Sequence, residues 1–113
     1  MKLKIGCDIV QITRFERSAG KGGKEFLDRV FSASELANAP AVATLAGMFA
    51  AKEAVMKALK MKAGDWHKIE IKKDENGRPE VKLLELDKRV MSRDMSISHD
   101  GEYAMAVAIF LVE

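Results

Sequence analysis

Apolar and polar positions alternate from Lys2 and then run together to Val10, which predicts a strand largely buried in a sheet. Gly6 lies inside that strand, where a glycine often marks close approach by another backbone or a ligand. A short helix is expected over about 13–19, ending at Gly20, with Gly20-Lys-Gly-Gly-Lys24 a flexible basic loop and a second helical piece over about 24–30. Ser32-Ala-Ser-Glu35 has the spacing of a capping box, so another short helix begins near Ser32 and runs to about Asn38, ahead of Pro40. The main helix spans about 41–61, a stretch rich in alanine, leucine, methionine and lysine with no proline and only Gly47 to weaken it. At 100° per residue, Leu45, Met48, Val55, Met56 and Leu59 share one stripe, which marks the face turned to the core. Lys52 falls inside that stripe, either snorkelling past apolar neighbours or held as a desolvated cation for a charged partner.

The second half reads as sheet. Ile69-Glu-Ile71 alternates, Asp74-Glu-Asn-Gly77 carries the Asn-Gly hairpin signal, and 79–84 returns as the partner strand. A short helix is expected over 85–93, turning Leu86 and Val90 inward. Met95-Ser-Ile-Ser-His99 alternates, Asp100-Gly101 makes a turn, and 103–112 is an apolar final strand, so the last two strands form a hairpin. With no repeat, linker or low-complexity segment, 1–113 is expected to be one compact α+β domain, an antiparallel sheet packed on one long helix.

Composition narrows the class. Apolar residues make up 48% of the chain but aromatics only 6%, so aliphatics, alanine and seven methionines must fill a modest core. Subunit association is a common remedy for so small a core, and an oligomer is expected. A net charge of +2 does not point to nucleic acid. Arg14, Arg17, Lys21 and Lys24 nevertheless make the first third locally basic, broken by Glu16 and Glu25, which suits either a solvated helix face or an acidic macromolecular partner. One cysteine leaves no internal disulfide and argues against a structural zinc site. No apolar run is long enough to span a membrane, and Met1-Lys2-Leu3-Lys4 leads into a strand rather than a signal peptide, so the cytoplasm is the expected location.

Polar groups at the ends of apolar elements carry the candidate chemistry. Asp8 and Glu53 are oxygen donors of the kind magnesium takes, one or two carboxylates completed by phosphate oxygens and water. Lys57, one helical turn beyond Glu53, is either its ordinary salt partner or a cation for a leaving phosphate. His99 at a hairpin tip is either a turn histidine or a phosphate contact. There is no GxxxxGK[ST], GxGxxG, HExxH or GxSxG motif, which disfavours nucleoside triphosphatases, dinucleotide enzymes, zinc proteases and serine hydrolases. The spacing alone suggests a metal and phosphate site without naming a substrate.

The order and spacing of Ile5-Gly-Cys-Asp-Ile-Val-Gln-Ile12 with Arg14, Phe31-Ser-Ala-Ser-Glu-Leu36, Phe49-Ala-Ala-Lys-Glu-Ala54 with Lys57-Ala58, Asp74-Glu-Asn-Gly-Arg-Pro79 and Ser96-Ile-Ser-His99 resemble the holo-acyl-carrier-protein synthase family. The resemblance spans nearly the whole chain. It implies a magnesium-dependent 4'-phosphopantetheinyl transferase that moves the arm of coenzyme A onto a serine of apo acyl carrier protein, in a cytoplasmic homotrimer with sites at the subunit interfaces. It implies Asp8 and Glu53 as metal ligands, Glu53 or a metal-bound water as acceptor of the serine proton, and Lys57 near the pyrophosphate. Lys52, Gly64 and His99 would serve the coenzyme, and Arg14 would receive the acidic carrier helix, supported by Arg17, Lys21 and Lys24. The chain departs from the family pattern at Met48, where an arginine is frequent, in Lys60-Met-Lys-Ala-Gly64, and at Asp100, where a threonine is common. Two other readings use the same residues: a magnesium-dependent pyrophosphate or phosphodiester hydrolase, and a non-catalytic module that binds coenzyme A or carrier protein.

Overall fold

A computed structural model of the chain describes residues 1–39, 41–85 and 89–113. Strand β1 (Lys2–Gln11) leads into helix α1 (Ile12–Val30), a short helix α2 (Ala33–Ala37) and the central helix α3 (Val42–Leu59). A 3-10 turn (Asp65–Lys68) follows, then β2 (Ile69–Lys73), β3 (Pro79–Leu83), β4 (Val90–Asp100) and β5 (Tyr103–Val112). The architecture is α+β. One antiparallel sheet has the order β1-β5-β4 and a second is the β2-β3 hairpin, whose β3 lies beside β4.

The period of two in β1 and β5 decides how α3 sits. Ala104, Ala106, Ala108 and Phe110 of β5 point inward and are fully buried, and Ala46, Ala50, Ala54 and Ala58 of α3 are buried as well. Small side chains on both surfaces let helix and sheet approach closely. At Gly6 the approach is closest: a Cβ there would overlap the Ala54 carbonyl oxygen and come 2.7 Å from the Ala58 nitrogen. Only glycine fits, because the obstruction is helix backbone and cannot swing aside.

Several expectations change. The β1 strand is buried on one face only: Leu3, Ile5 and Ile9, on the other, are 69%, 68% and 64% exposed. Gly20–Lys24 is not a loop, since α1 runs through it with a kink at Gly23, whose φ of 57° a glycine tolerates. The core face of α3 is not a single stripe, because hairpin, sheet and α1 cover the helix on most sides and the alanines and Gly47 are buried too. Of the expected helix over 85–93, residues 90–93 belong to β4 and Leu86 lies outside the described residues. Pairing with β5 overrides the local helical pattern there, with Arg93 opposite Phe110.

Other features stand as read. The Ser32 hydroxyl accepts from the Glu35 backbone N–H while the Glu35 carboxylate accepts from the Ser32 N–H, a complete capping box. The 74–78 turn is closed by Asp74, which accepts from the Asn76 and Arg78 N–H groups, with Gly77 at φ 79°. No helix among the described residues is long and apolar enough to cross a membrane.

Candidate active site

The close packing at Gly6 sets the geometry of the site. Asp8 is two residues further along the same face of β1, so its side chain emerges where α3 presents Glu53 and Lys57. Lys57 Nζ donates to Asp8 Oδ1 at 3.0 Å and to the Cys7 carbonyl at 3.1 Å. The ordinary i, i+4 pair with Glu53 does not form among these contacts; the helix lysine bridges to the strand instead. Lys57 is thereby held protonated more firmly, chiefly by its hydrogen bond to Asp8.

Glu53 is left in a demanding position. Burial raises its pKa above the usual carboxylate value, and the neighbouring Asp8 charge raises it further, while Trp66 and Lys57 act in the opposite direction. The Trp66 indole N–H lies near enough to favour the ionised carboxylate yet falls short of a formed hydrogen bond, and Nε1 is buried without a partner. Two carboxylates brought together with one lysine, which bonds only one of them, form a site with unbalanced negative charge. Among the described residues no third His, Cys, Asp or Glu joins them to complete a protein-only metal cage. Two carboxylates and open positions suit a magnesium ion that draws its remaining oxygens from phosphate and water.

His99 reaches the site's helix from β4. Its Nε2 lies 2.9 Å from the Ala43 carbonyl, an acceptor, so Nε2 carries a proton and donates it there. Gly47 makes room for the ring, since a Cβ there would come 2.8 Å from Nε2. The histidine is therefore fixed against the first turns of α3 rather than capping its own hairpin.

Lys52, which the sequence reading put beside the coenzyme, lies in the interior of the chain. It is 1% exposed. Its three donors are committed to the Val30 carbonyl (2.7 Å), Glu35 Oε1 (2.7 Å) and the Trp66 carbonyl (3.2 Å). Burial lowers its pKa and Glu35 counters, and the three acceptors around Nζ match an ammonium. Glu35 Oε2 in turn accepts from the Ile71 N–H at 2.8 Å. The desolvated-cation alternative thus holds, but the partner is internal: the pair ties the end of α1, α2, the 3-10 turn and β2 to α3. Sequence reasoning took Glu35 only as a cap residue and gave Trp66 no role, and no local pattern marks either as a partner of Lys52.

Around this pair the rings of Phe15, Phe31, Phe49 and Trp66 join α1 to α3 and the 3-10 turn, with Phe15 and Phe49 centroids 5.4 Å apart. Met48 is buried in the core, so the position where the family pattern has an arginine does packing here. Gly64 is exposed in the turn before the 3-10 helix, at φ 90°. Arg14, Arg17 and Lys21 are exposed along α1, which starts four residues beyond Asp8. Lys24 lies past the kink and pairs with Asp28 at 2.6 Å. A cleft of about 490 Å³ between β3 and β4, lined by Lys72, Arg78, Arg93 and Asp94 among others, contains none of Asp8, Glu53, Lys57 or His99.

This fold falls in a known class. The family model described as "4'-phosphopantetheinyl transferase superfamily" matches residues 4–108. A holo-[acyl-carrier-protein] synthase of a Nitratiruptor species is 45% identical over 95% of this chain and 97% of its own length. One from Campylobacter jejuni is 39% identical over 93% and 96%. The crystal structure of the Helicobacter pylori holo-[acyl-carrier-protein] synthase in complex with coenzyme A superimposes with a TM-score of 0.86 at 34% identity, covering 95% of this chain and 99% of that one. The chain belongs to the holo-[acyl-carrier-protein] synthase family of that superfamily.

Proposed function

We propose that this chain transfers the 4'-phosphopantetheine arm of coenzyme A to a serine of apo acyl carrier protein, acting as a single domain in the cytoplasm. The observation that carries the reading is the Asp8, Glu53 and Lys57 cluster on β1 and α3, in a chain similar to a synthase solved with coenzyme A. The serine oxygen attacks the β-phosphorus, its proton leaves, and the bond to the bridging pyrophosphate oxygen breaks to release adenosine 3',5'-bisphosphate. Asp8 and Glu53 would hold magnesium, which when bound neutralises charge on the pyrophosphate.

This chain's own residues supply the rest. Glu53, whose carboxylate holds a proton more readily than most, is suited to accept the serine proton. Lys57, exposed and firmly protonated, offsets the charge on the departing bisphosphate. As the imidazolium, with Nε2–H donated to the Ala43 carbonyl, His99 would donate its Nδ1–H to a coenzyme phosphate, and Gly64 lets the neighbouring backbone approach the coenzyme. Arg14, Arg17 and Lys21, with Lys24 weakened by Asp28, make a basic approach to the site for an acidic carrier helix.

The test is to incubate the chain with coenzyme A, magnesium and apo acyl carrier protein and to weigh the carrier. A gain of one phosphopantetheine group, prevented by EDTA and slowed by added salt, is expected. No gain while an authentic synthase modifies the same carrier would overturn the reading; coenzyme A cleaved without any carrier would favour the hydrolase.

We also infer a homotrimer. Leu3, Ile5 and Ile9 of β1 and Tyr103 and Met105 of β5 share the outer face of the three-stranded sheet and are exposed, an apolar surface that a partner subunit would cover. Sedimentation equilibrium should return three times the chain mass, and a monomer at assay concentration would sink the assembly.

A further inference from the structure

Trp66 is held from two sides of the helix that carries Glu53. Its carbonyl accepts from Lys52, the residue before Glu53. Its ring leans on Phe49, one helical turn before Glu53 on the same face, with centroids 6.1 Å apart and planes at 37°. Among the described residues its Nε1 is a buried side-chain nitrogen without a hydrogen-bond partner. A buried donor left open is uncommon unless something else satisfies it. Contacts to Phe49 and Lys52 put Trp66 on the stretch of α3 that carries Glu53, and such site contacts often close fully only in the loaded enzyme.

We propose that Trp66 is a positioning residue for Glu53: its indole N–H engages one carboxylate oxygen in the loaded site and turns the other toward Asp8. The chain of contacts is then Glu35 to Lys52 to the Trp66 backbone, and the Trp66 ring to Glu53. The buried ion pair thereby sets the orientation of a metal-binding oxygen. This rests on the metal site proposed above. Partners that orient metal ligands are worth roughly 10- to 100-fold in metal affinity when removed.

The substitution Trp66→Phe keeps a ring against Phe49 and deletes the donor along with part of the indole's volume. With coenzyme A present, Mn²⁺ binding followed by electron paramagnetic resonance is expected to weaken by about tenfold or more, with the thermal midpoint little changed. Trp66 is the sole tryptophan of the chain, so its emission in the unsubstituted protein reports on the same contact. Emission should be quenched as Mn²⁺ binds, with the midpoint found by resonance, even if the variant does not fold. Equal Mn²⁺ affinity in both proteins, Mn²⁺ bound by neither, or emission indifferent to bound Mn²⁺ overturns the positioning role. The carrier mass assay on the unsubstituted protein separates the two failures: transfer with an indifferent Trp66 removes this inference alone, whereas no transfer removes the function it rests on.

Discussion

Replacing Glu53 with alanine is expected to lower phosphopantetheine transfer by roughly a thousandfold or more, the scale of losing a group that stabilises charge in the transition state. Raised magnesium should not restore it, because Asp8 alone, already bonded to Lys57, cannot supply the second oxygen. The same residue carries a stability cost with the opposite sign. Burial and Asp8 hold the Glu53 pKa above its unfolded value. The folded state therefore binds that proton more tightly than the unfolded chain does, and metal-free stability falls as pH rises through the range above the ordinary glutamate value. The variant Glu53→Gln lacks this component. In metal-free buffer it should be at least as stable as the parent at neutral pH, with a flatter pH profile on the acidic side. Circular dichroism melts with EDTA from pH 5 to 8, set beside carrier mass measurements, test both halves. Retained transfer would remove Glu53 from the metal site, and a large loss of stability would mean that it is structural.

Most elements were legible in the sequence because their signals are local. The capping box at Ser32, the Asn-Gly turn and the apolar run of β5 each depend on residues within a few positions. Asp8, Glu53 and Lys57 were also visible, as polar residues inside otherwise apolar elements. What was hidden depends on non-local geometry. The glycines at 20, 22 and 23 read as a loop, yet Phe15, Phe26 and Val30 gain enough by packing on the core to carry helix through them with one kink. Lys57 looked like the partner of Glu53 because the spacing is right, and only the contact at Gly6 reveals that Asp8 is there to take it. Glu35 and Lys52 are 17 positions apart, and no periodicity predicts that they meet.

Lys52→Met should therefore be the most destabilising single change in the vicinity of the site. Methionine fills the volume but leaves Glu35 buried with an uncompensated charge and frees the Val30 and Trp66 carbonyls. Breaking one side of a buried pair costs about 3–5 kcal/mol. At roughly 4 °C per kcal/mol for a domain of this length, the thermal midpoint should drop by more than about 10 °C. Adding Glu35→Gln removes the stranded charge while an amide oxygen can still accept from Ser32 or Ile71, so the double variant should recover part of the loss. That coupling is what distinguishes an ion pair from simple packing, in which the two losses would add. Transfer by the Lys52 variant well below its midpoint should also fall, since the Trp66 carbonyl is no longer tied to α3 beside Glu53. Additive losses, or a midpoint shift of only a few degrees, would show that Lys52 is not the anchor. Full activity at low temperature with the expected loss of stability would confine its role to the fold.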